Sequence, residues 1–261
     1  MRLGVNIDHI ATLREARAIN DPNPLEAVFI AKNAGAHQIT IHLREDRRHI
    51  HDTDVRSIIA QSPLPVNVEC ALDEGITEFL CAIKPHRITL VPEKRQEITT
   101  EGGLDLNTHS DTIAKTLARY TKHDIDTALF IDPHIDNITL AKDLGARCIE
   151  LHTGKYANLH LMQTTNLPKT HHSLQEFALP TKELQSLLDS ELSLLATSAK
   201  YARDIGLECF AGHGLNYHNL APIIAIKDIS ELNIGHSIIA RAVFVGLERA
   251  ISDMLKLCTS P

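Results

Sequence analysis

No stretch of the 261-residue chain stays apolar for the ~18 to 20 residues that a membrane span needs, so a helical membrane protein is excluded. The amino terminus lacks a basic region followed by an apolar one, and Met1 leads straight into a strand-like segment. The cytoplasm is therefore the expected compartment. Basic charge is not in excess either. With 26 Lys+Arg against 33 Asp+Glu the formal charge is −7, which argues against a nucleic-acid footprint. The five cysteines form no CxxC pair, and Cys70, Cys148 and Cys209 sit in apolar strand-like runs, so reduced core thiols are expected. A glycine-rich first turn of the dinucleotide-binding type is also missing, because Asn6-Ile7-Asp8-His9 stands in that place. What is present is a chain 43% hydrophobic and 23% charged, enough to bury a sizeable core and neither disordered nor fibrous.

Short β-rich runs alternate with helical patterns from end to end, without a linker or low-complexity break. The strand candidates are Leu3 to Asp8, Gln38 to Leu43, Val66 to Cys70, Arg87 to Pro92, Asp126 to Asp132, Cys148 to Thr153, Leu207 to His213 and Glu231 to Gly235. Most read as short continuous apolar runs, as parallel strands buried on both faces do. Helical patterns lie between them, over Asn23 to Gly35, Thr53 to Gln61, Asp73 to Ile83, Asp111 to Lys122, Ile135 to Gly145, Lys182 to Gly206, Asn219 to Ile226 and His236 to Leu257. The first is the clearest, with Asn23 to cap, Pro24 at the first helical position and Gly35 to end it. Eight strand-helix units predict a single (β/α)8 TIM barrel over residues 1–261. A doubly wound open sheet is the alternative. Two connections are long: residues 93 to 107, and residues 154 to 181 after strand six, which form an insertion broken by Pro168 and Pro180.

Polar, ionisable residues collect at or just past the carboxyl ends of the predicted strands. His9 follows the first, His42 lies in the second, Glu69 in the third, Asp132 ends the fifth, His152 lies in the sixth, His213 ends the seventh and His236 follows the eighth. Taken alone, each histidine reads as a capped or core-satisfied imidazole. Together they converge on the one mouth where catalytic groups of such barrels sit. Glycine stands beside histidine in Ala211-Gly212-His213-Gly214 and Asn233-Ile234-Gly235-His236, where backbone amides and a helix N-terminus suit a phosphate. Tight turns using glycine for backbone freedom are the other reading of these two sites. Arg14, Arg17, Arg44, Arg47 and Arg48 offer forks for phosphate or carboxylate, with Arg47 and Arg48 read as solvated surface charge. The chain has 16 His, but its short patterns, His49-Ile50-His51 and His171-His172, have no carboxylate or thiol at ligand spacing. No metal is expected.

The segments Gly4-Val-Asn-Ile-Asp-His-Ile-Ala-Thr-Leu-Arg14, His42-Leu-Arg-Glu-Asp-Arg-Arg-His-Ile50, Val91-Pro-Glu-Lys-Arg-Gln-Glu-Ile-Thr-Thr-Glu-Gly-Gly-Leu104, Ala211-Gly-His-Gly-Leu215 and Glu231-Leu-Asn-Ile-Gly-His236 closely resemble the pyridoxine 5'-phosphate synthase family. The resemblance spans essentially the whole chain. It implies a (β/α)8 barrel that assembles as a homo-octamer, needs no metal or organic cofactor, and acts on small phosphorylated substrates. The implied reaction condenses 3-amino-2-oxopropyl phosphate with 1-deoxy-D-xylulose 5-phosphate to pyridoxine 5'-phosphate, releasing phosphate and water. By the same matching His42, Glu69 and His213 are catalytic. Asn6, Arg17, Gly214, Gly235 and His236 would hold the aminoketone phosphate, and Asp8, His9, Arg44, His49 and Thr99 the deoxyxylulose phosphate. Residues 93 to 103 match the family's mobile lid. The strand-six connection departs from the family by its length, and its spaced apolar residues predict that it packs on something, with a subunit contact favoured over the barrel rim.

Such a condensation moves protons repeatedly near neutral pH, which imidazoles and a desolvated carboxylate can do. Two rivals are a sugar-phosphate isomerase or aldolase and a non-catalytic barrel that binds phosphorylated ligands. The absence of a strand-end lysine and of a metal set counts against the first, and Glu69 against the second, since a binder of two anions gains nothing from a buried carboxylate.

Overall fold

The strand sequences alternate at every second residue: Gln38-Ile-Thr-Ile-His42, Val66-Asn-Val-Glu-Cys70, Cys148-Ile-Glu-Leu-His152, Glu231-Leu-Asn-Ile234. A period of two sends the two sets to opposite faces of a strand. The computed structural model describes residues 1–93 and 102–259 and shows where those faces go. Eight parallel strands, β1 (Arg2–Asn6), β2 (Gln38–His42), β3 (Val66–Cys70), β4 (Arg87–Leu90), β5 (Asp126–Ile131), β6 (Cys148–His152), β7 (Glu208–Gly212) and β8 (Glu231–Ile234), pair in sequence order and close when β1 pairs with β8. The outward set, with Val5, Ile39, Ile41, Val68, Ile88, Leu129, Ile149 and Leu232, is fully buried under the surrounding helices.

The inward set corrects the expectation of continuous apolar strands. Gln38, Thr40, Asn67, Arg87, Thr89, Glu150, Glu231 and Asn233 are all buried polar residues, and Ala128, Cys148 and Phe210 form a small apolar cluster of their own. The polar interior is stable because its members pair. Arg87 Nη1 donates to Glu231 (2.8 Å) and Gln38 (3.1 Å), and Thr89 Oγ1 donates to Asn67 (3.0 Å). All five cysteines are buried free thiols, as expected, and burial pushes Cys70 and Cys148 up to about 12.

The helices are α1 (Asp8–Glu15), α2 (Pro24–Ala34), α3 (Asp52–Gln61), α4 (Glu74–Ile83), α5 (Ser110–Lys122), α6 (Ile135–Asp143), α7 (Gly154–Thr164), α8 (Thr181–Asp204), α9 (Leu220–Ile224), α10 (His236–Val245) and α11 (Leu247–Thr259). Asn23 caps α2 by accepting from Leu25 N–H (3.0 Å), and Gly35 ends it at φ +96°. Three differences from the periodicity have local causes. The first strand stops at Asn6, because the Asn6 side chain accepts the Asp8 N–H (2.9 Å) and starts α1 there. The last helix is two, divided at Gly246 (φ +81°). The insertion after β6 is not a loop throughout: it forms α7 and two single 3-10 turns, Leu167–Lys169 and Gln175–Phe177. Leu159, Met162 and Leu184 bury a satellite core there, with Leu167, Leu174 and Phe177 packed against it. The segment therefore packs on α7 and α8 of its own chain.

Candidate active site

Strand register sets the first half of the mouth. His42 and Glu69 are direct neighbours across the β2–β3 ladder, so their side chains leave the barrel on the same side. Asp8, in the first turn of α1, joins them: one donor atom from each of Asp8, His42 and Glu69 lies within 4.8 Å of the others. The Asp8 carboxylate accepts the His42 backbone N–H (2.8 Å) and the Asn6 Nδ2–H (2.8 Å), which ties β1 to β2 at the rim. Just beyond β4, Glu93 reaches across to His42 Nε2 (3.0 Å) and accepts the Glu45 N–H (3.1 Å). Burial works to raise the Glu93 carboxyl, but the His42 bond, the Glu45 amide and the Arg44 guanidinium 4.0 Å away outweigh it and hold it below the usual carboxylate range. Arg44 and His49 are buried, and the His49 ring stands edge-on to that of His42 with centroids 6.2 Å apart.

The second half is built at β7, β8 and the start of α1. His213 sits just past β7 at φ +75°, a left-handed conformation that costs a non-glycine residue energy and is held by its surroundings. Gly214 follows at φ +82°, and a Cβ there would lie 2.5 Å from the Ala157 Cβ, so only glycine fits. Gly235 lets β8 approach Asn6, whose side-chain atoms would lie 2.9 to 3.1 Å from an added Cβ. His236 opens α10, and its ring meets His9 edge-on at 5.1 Å.

Beneath this mouth lies Glu150, 3% exposed, on the inner face of β6. Burial pushes its carboxyl up to about 7; the Asn233 Nδ2–H at 2.7 Å opposes the shift, Glu231 adds to it and Arg87 works against it. Asn233 is oriented in turn by Thr40 Oγ1, which donates to its carbonyl oxygen at 3.0 Å.

The structure thus gathers Asn6, Asp8, His42, Arg44, His49 and Glu69 on one side of the mouth and His9, His213, Gly214, Gly235 and His236 on the other. It does not bring Arg17 to them. That residue is exposed in the turn beyond α1, roughly 13 Å further along the helix direction than Asp8 at 1.5 Å per residue. Thr99 and most of segment 93–103 lie outside the described residues. Arg14 is not a ligand fork: it is committed to Asp54 through two 2.8 Å bonds and to the His49 carbonyl, and so braces the rim loop. Arg48 pairs with Asp46 on the surface. The sequence reading gave no role to Glu93 or Glu150, or to the bond between Asp132 and His152. Strand alternation was the signal for Glu150, which stands two residues before His152 and must share its inward face. Among the described residues no lysine ends a strand.

Residues 3–260 match the family described as pyridoxal phosphate biosynthesis protein PdxJ. The chain is 64% identical over 258 residues to the pyridoxine 5'-phosphate synthase of Helicobacter hepaticus, a match covering 97% of each chain. To the pyridoxine 5'-phosphate synthase of Wolinella succinogenes it is 56% identical over 257 residues, covering 98% of each. Among solved structures, 3-hexulose-6-phosphate synthase is similar with a TM-score of 0.59 at 13% identity, covering 98% of this chain and 99% of its own, a likeness of fold alone. A match of this length and identity, over a barrel whose mouth gathers most of the motif residues, places the chain in the pyridoxal phosphate biosynthesis protein PdxJ family.

Proposed function

We propose that this enzyme condenses 3-amino-2-oxopropyl phosphate with 1-deoxy-D-xylulose 5-phosphate to pyridoxine 5'-phosphate, releasing phosphate and water. The observation that carries the residue assignments is the meeting of Asp8, His42 and Glu69 at one point of the mouth. The aminoketone's own amine attacks the other substrate's carbonyl, and imine formation, loss of phosphate, ring closure and the final dehydration each move a proton. Glu93, ionised at neutral pH, accepts the His42 Nε2–H, so in the neutral ring Nδ1 carries the lone pair. That atom and the Glu69 carboxylate are the assigned proton acceptors, and His213 is the assigned donor. The Gly214 and Gly235 turns, with the α10 N-terminus at His236, form the cradle for the aminoketone phosphate with Asn6. Arg17 joins that set on the resemblance alone. Asp8, His9, Arg44, His49 and Thr99 are assigned to the deoxyxylulose phosphate. We assign no metal to Asp8, His42 and Glu69, because both Asp8 oxygens already accept N–H bonds from Asn6 and His42.

The assembly we assign is a homo-octamer, and the surface supports self-association. Val243 and Phe244, 75% and 88% exposed, lie on the α10 side of the barrel, where α2 adds the exposed Phe29 and Ile30. No described helix is long and apolar enough to cross a membrane, and the buried free thiols fit the cytoplasm, the compartment we assign. Mixing the two substrates with purified protein and following pyridoxine phosphate by its absorbance tests the reaction. Formation with both substrates and none with either alone is the expected result; consumption of one substrate alone favours an isomerase or aldolase.

A further inference from the structure

Three adjacent strand ends carry a group of side chains that the assigned roles use only in part. Asp132 follows β5, His152 ends β6 and His213 follows β7. Asp132 Oδ1 accepts from His152 Nδ1 (3.1 Å) and from the Gly103 N–H (3.0 Å). The His152 bond, aided by the Gly103 amide and opposed by burial, holds Asp132 below the usual carboxylate range, so it is ionised at neutral pH. His152 is 7% exposed. With Nδ1 protonated, a neutral imidazole carries its lone pair on Nε2, and this atom is buried with no hydrogen-bond partner among the described residues. A buried acceptor left unmet is costly and calls for an explanation.

The surroundings of Nε2 supply one. It faces Gly154, which has no side chain: a Cβ there would lie 2.4 Å from His152 Nε2 and 2.9 Å from His213 Cδ2, so the two rings converge on one point. Their centroids are 5.0 Å apart and edge-on, and Phe130 closes the other side of His152, also at 5.0 Å. A half-turn of the His213 ring exchanges Cδ2 for Nδ1 with little change of shape, and so presents an N–H toward the unmet lone pair. The other ionisable groups around His152 are His134 near Asp132 and Glu150 beneath it on β6.

We propose that His152 is a positioning residue that acts through His213: the Asp132–His152 pair accepts the proton of the His213 imidazolium at Nε2 and returns it, rearming His213 between successive proton transfers. The N–H bond of His213 breaks, an Nε2–H bond forms on His152, and the new imidazolium keeps its Nδ1–H on the Asp132 carboxylate. The return step reverses both changes, with no other reactant. This rests on the reading of His213 as the proton donor.

Steady-state kinetics of the full-length enzyme with both substrates, for His152→Gln, Asp132→Asn, His213→Gln and the His152→Gln/His213→Gln double variant, test it. His152→Gln should lower kcat about tenfold with both KM values within about twofold, and should add nothing in the His213→Gln background, since a group acting only through His213 has nothing left to act on. Asp132→Asn removes a negative charge that favours protonated imidazole, so the alkaline limb of its kcat profile should move to lower pH. Equal losses from His152→Gln in both backgrounds, or an unmoved limb in Asp132→Asn, overturn the proposal. Full activity in His213→Gln alone instead overturns the donor assignment beneath it. Circular dichroism checks folding, and if His152→Gln does not fold, the same cycle run with Asp132→Asn decides the question.

Discussion

Glu69 and His42 illustrate how far a single residue's role depends on one neighbour. Register alone places them side by side, and Asp8 completes the group from a different element. Replacing Glu69 by Gln keeps the shape and removes the base, so kcat should fall about 10²-fold or more while KM stays within a few-fold, the pattern of an interaction made mainly in the transition state. Steady-state assays check this, and an unchanged kcat removes Glu69 from the chemistry. Glu150 makes a different prediction, because its carboxyl is raised from the ordinary 4.5 to about 7. A group with a raised folded pKa holds its proton more tightly in the native state, so its contribution is complete below about pH 4.5 and is lost as pH rises toward 7. Wild-type Tm should therefore fall relative to that of Glu150→Gln across this window. Parallel Tm curves for the two proteins would show that Glu150 titrates normally.

At the scale of elements, the β6–β7 connection separates chemistry from support. Its helix α7 belongs to the barrel wall, with Tyr156 donating to the Asn219 carbonyl (2.7 Å) and Asn158 and Leu159 buried. The following turns only cover α7 and α8, through Leu167, Leu174 and Phe177. Its two flanks are already close, since Gln163 donates to Gln185 at 2.7 Å. Excising residues 166–179 with a short Gly-Ser bridge should lower Tm by several degrees and leave turnover within about twofold, because the lost contacts are hydrophobic cover remote from the mouth. Differential scanning calorimetry and a steady-state assay measure the two effects; turnover lost at unchanged Tm would place the segment in the active site.

For the whole molecule, the exposed apolar side of α2 and α10 is the feature a lone barrel does not explain. A side chain as large as Phe244 at 88% exposure, beside Val243 at 75%, is ordinary only if another surface covers it. Phe244→Glu should therefore lower the sedimentation coefficient toward that of a smaller species while circular dichroism stays native. An unaltered coefficient would put the subunit contact elsewhere on the barrel.

The alternation of strand and helix, the boundaries of most elements and the collection of polar residues at strand ends were all readable from the chain, because periodicity and capping are local properties. His42, Glu69, His213 and the two glycine turns could be named from their strings for the same reason. The polar interior was visible as alternation but was taken for apolar strands, since a lone Arg87 or Glu231 does not announce its partner. Those two residues stand 144 positions apart and meet only when β1 closes on β8. Closure likewise decided that Arg14 braces a loop, that Glu93 reaches His42, and that Glu150 loses its water and is held near neutrality. Sequence pattern determines which side chains a strand presents inward; which of them touch, and at what charge, follows from burial among neighbours distant in the chain, and that is a property of the closed barrel.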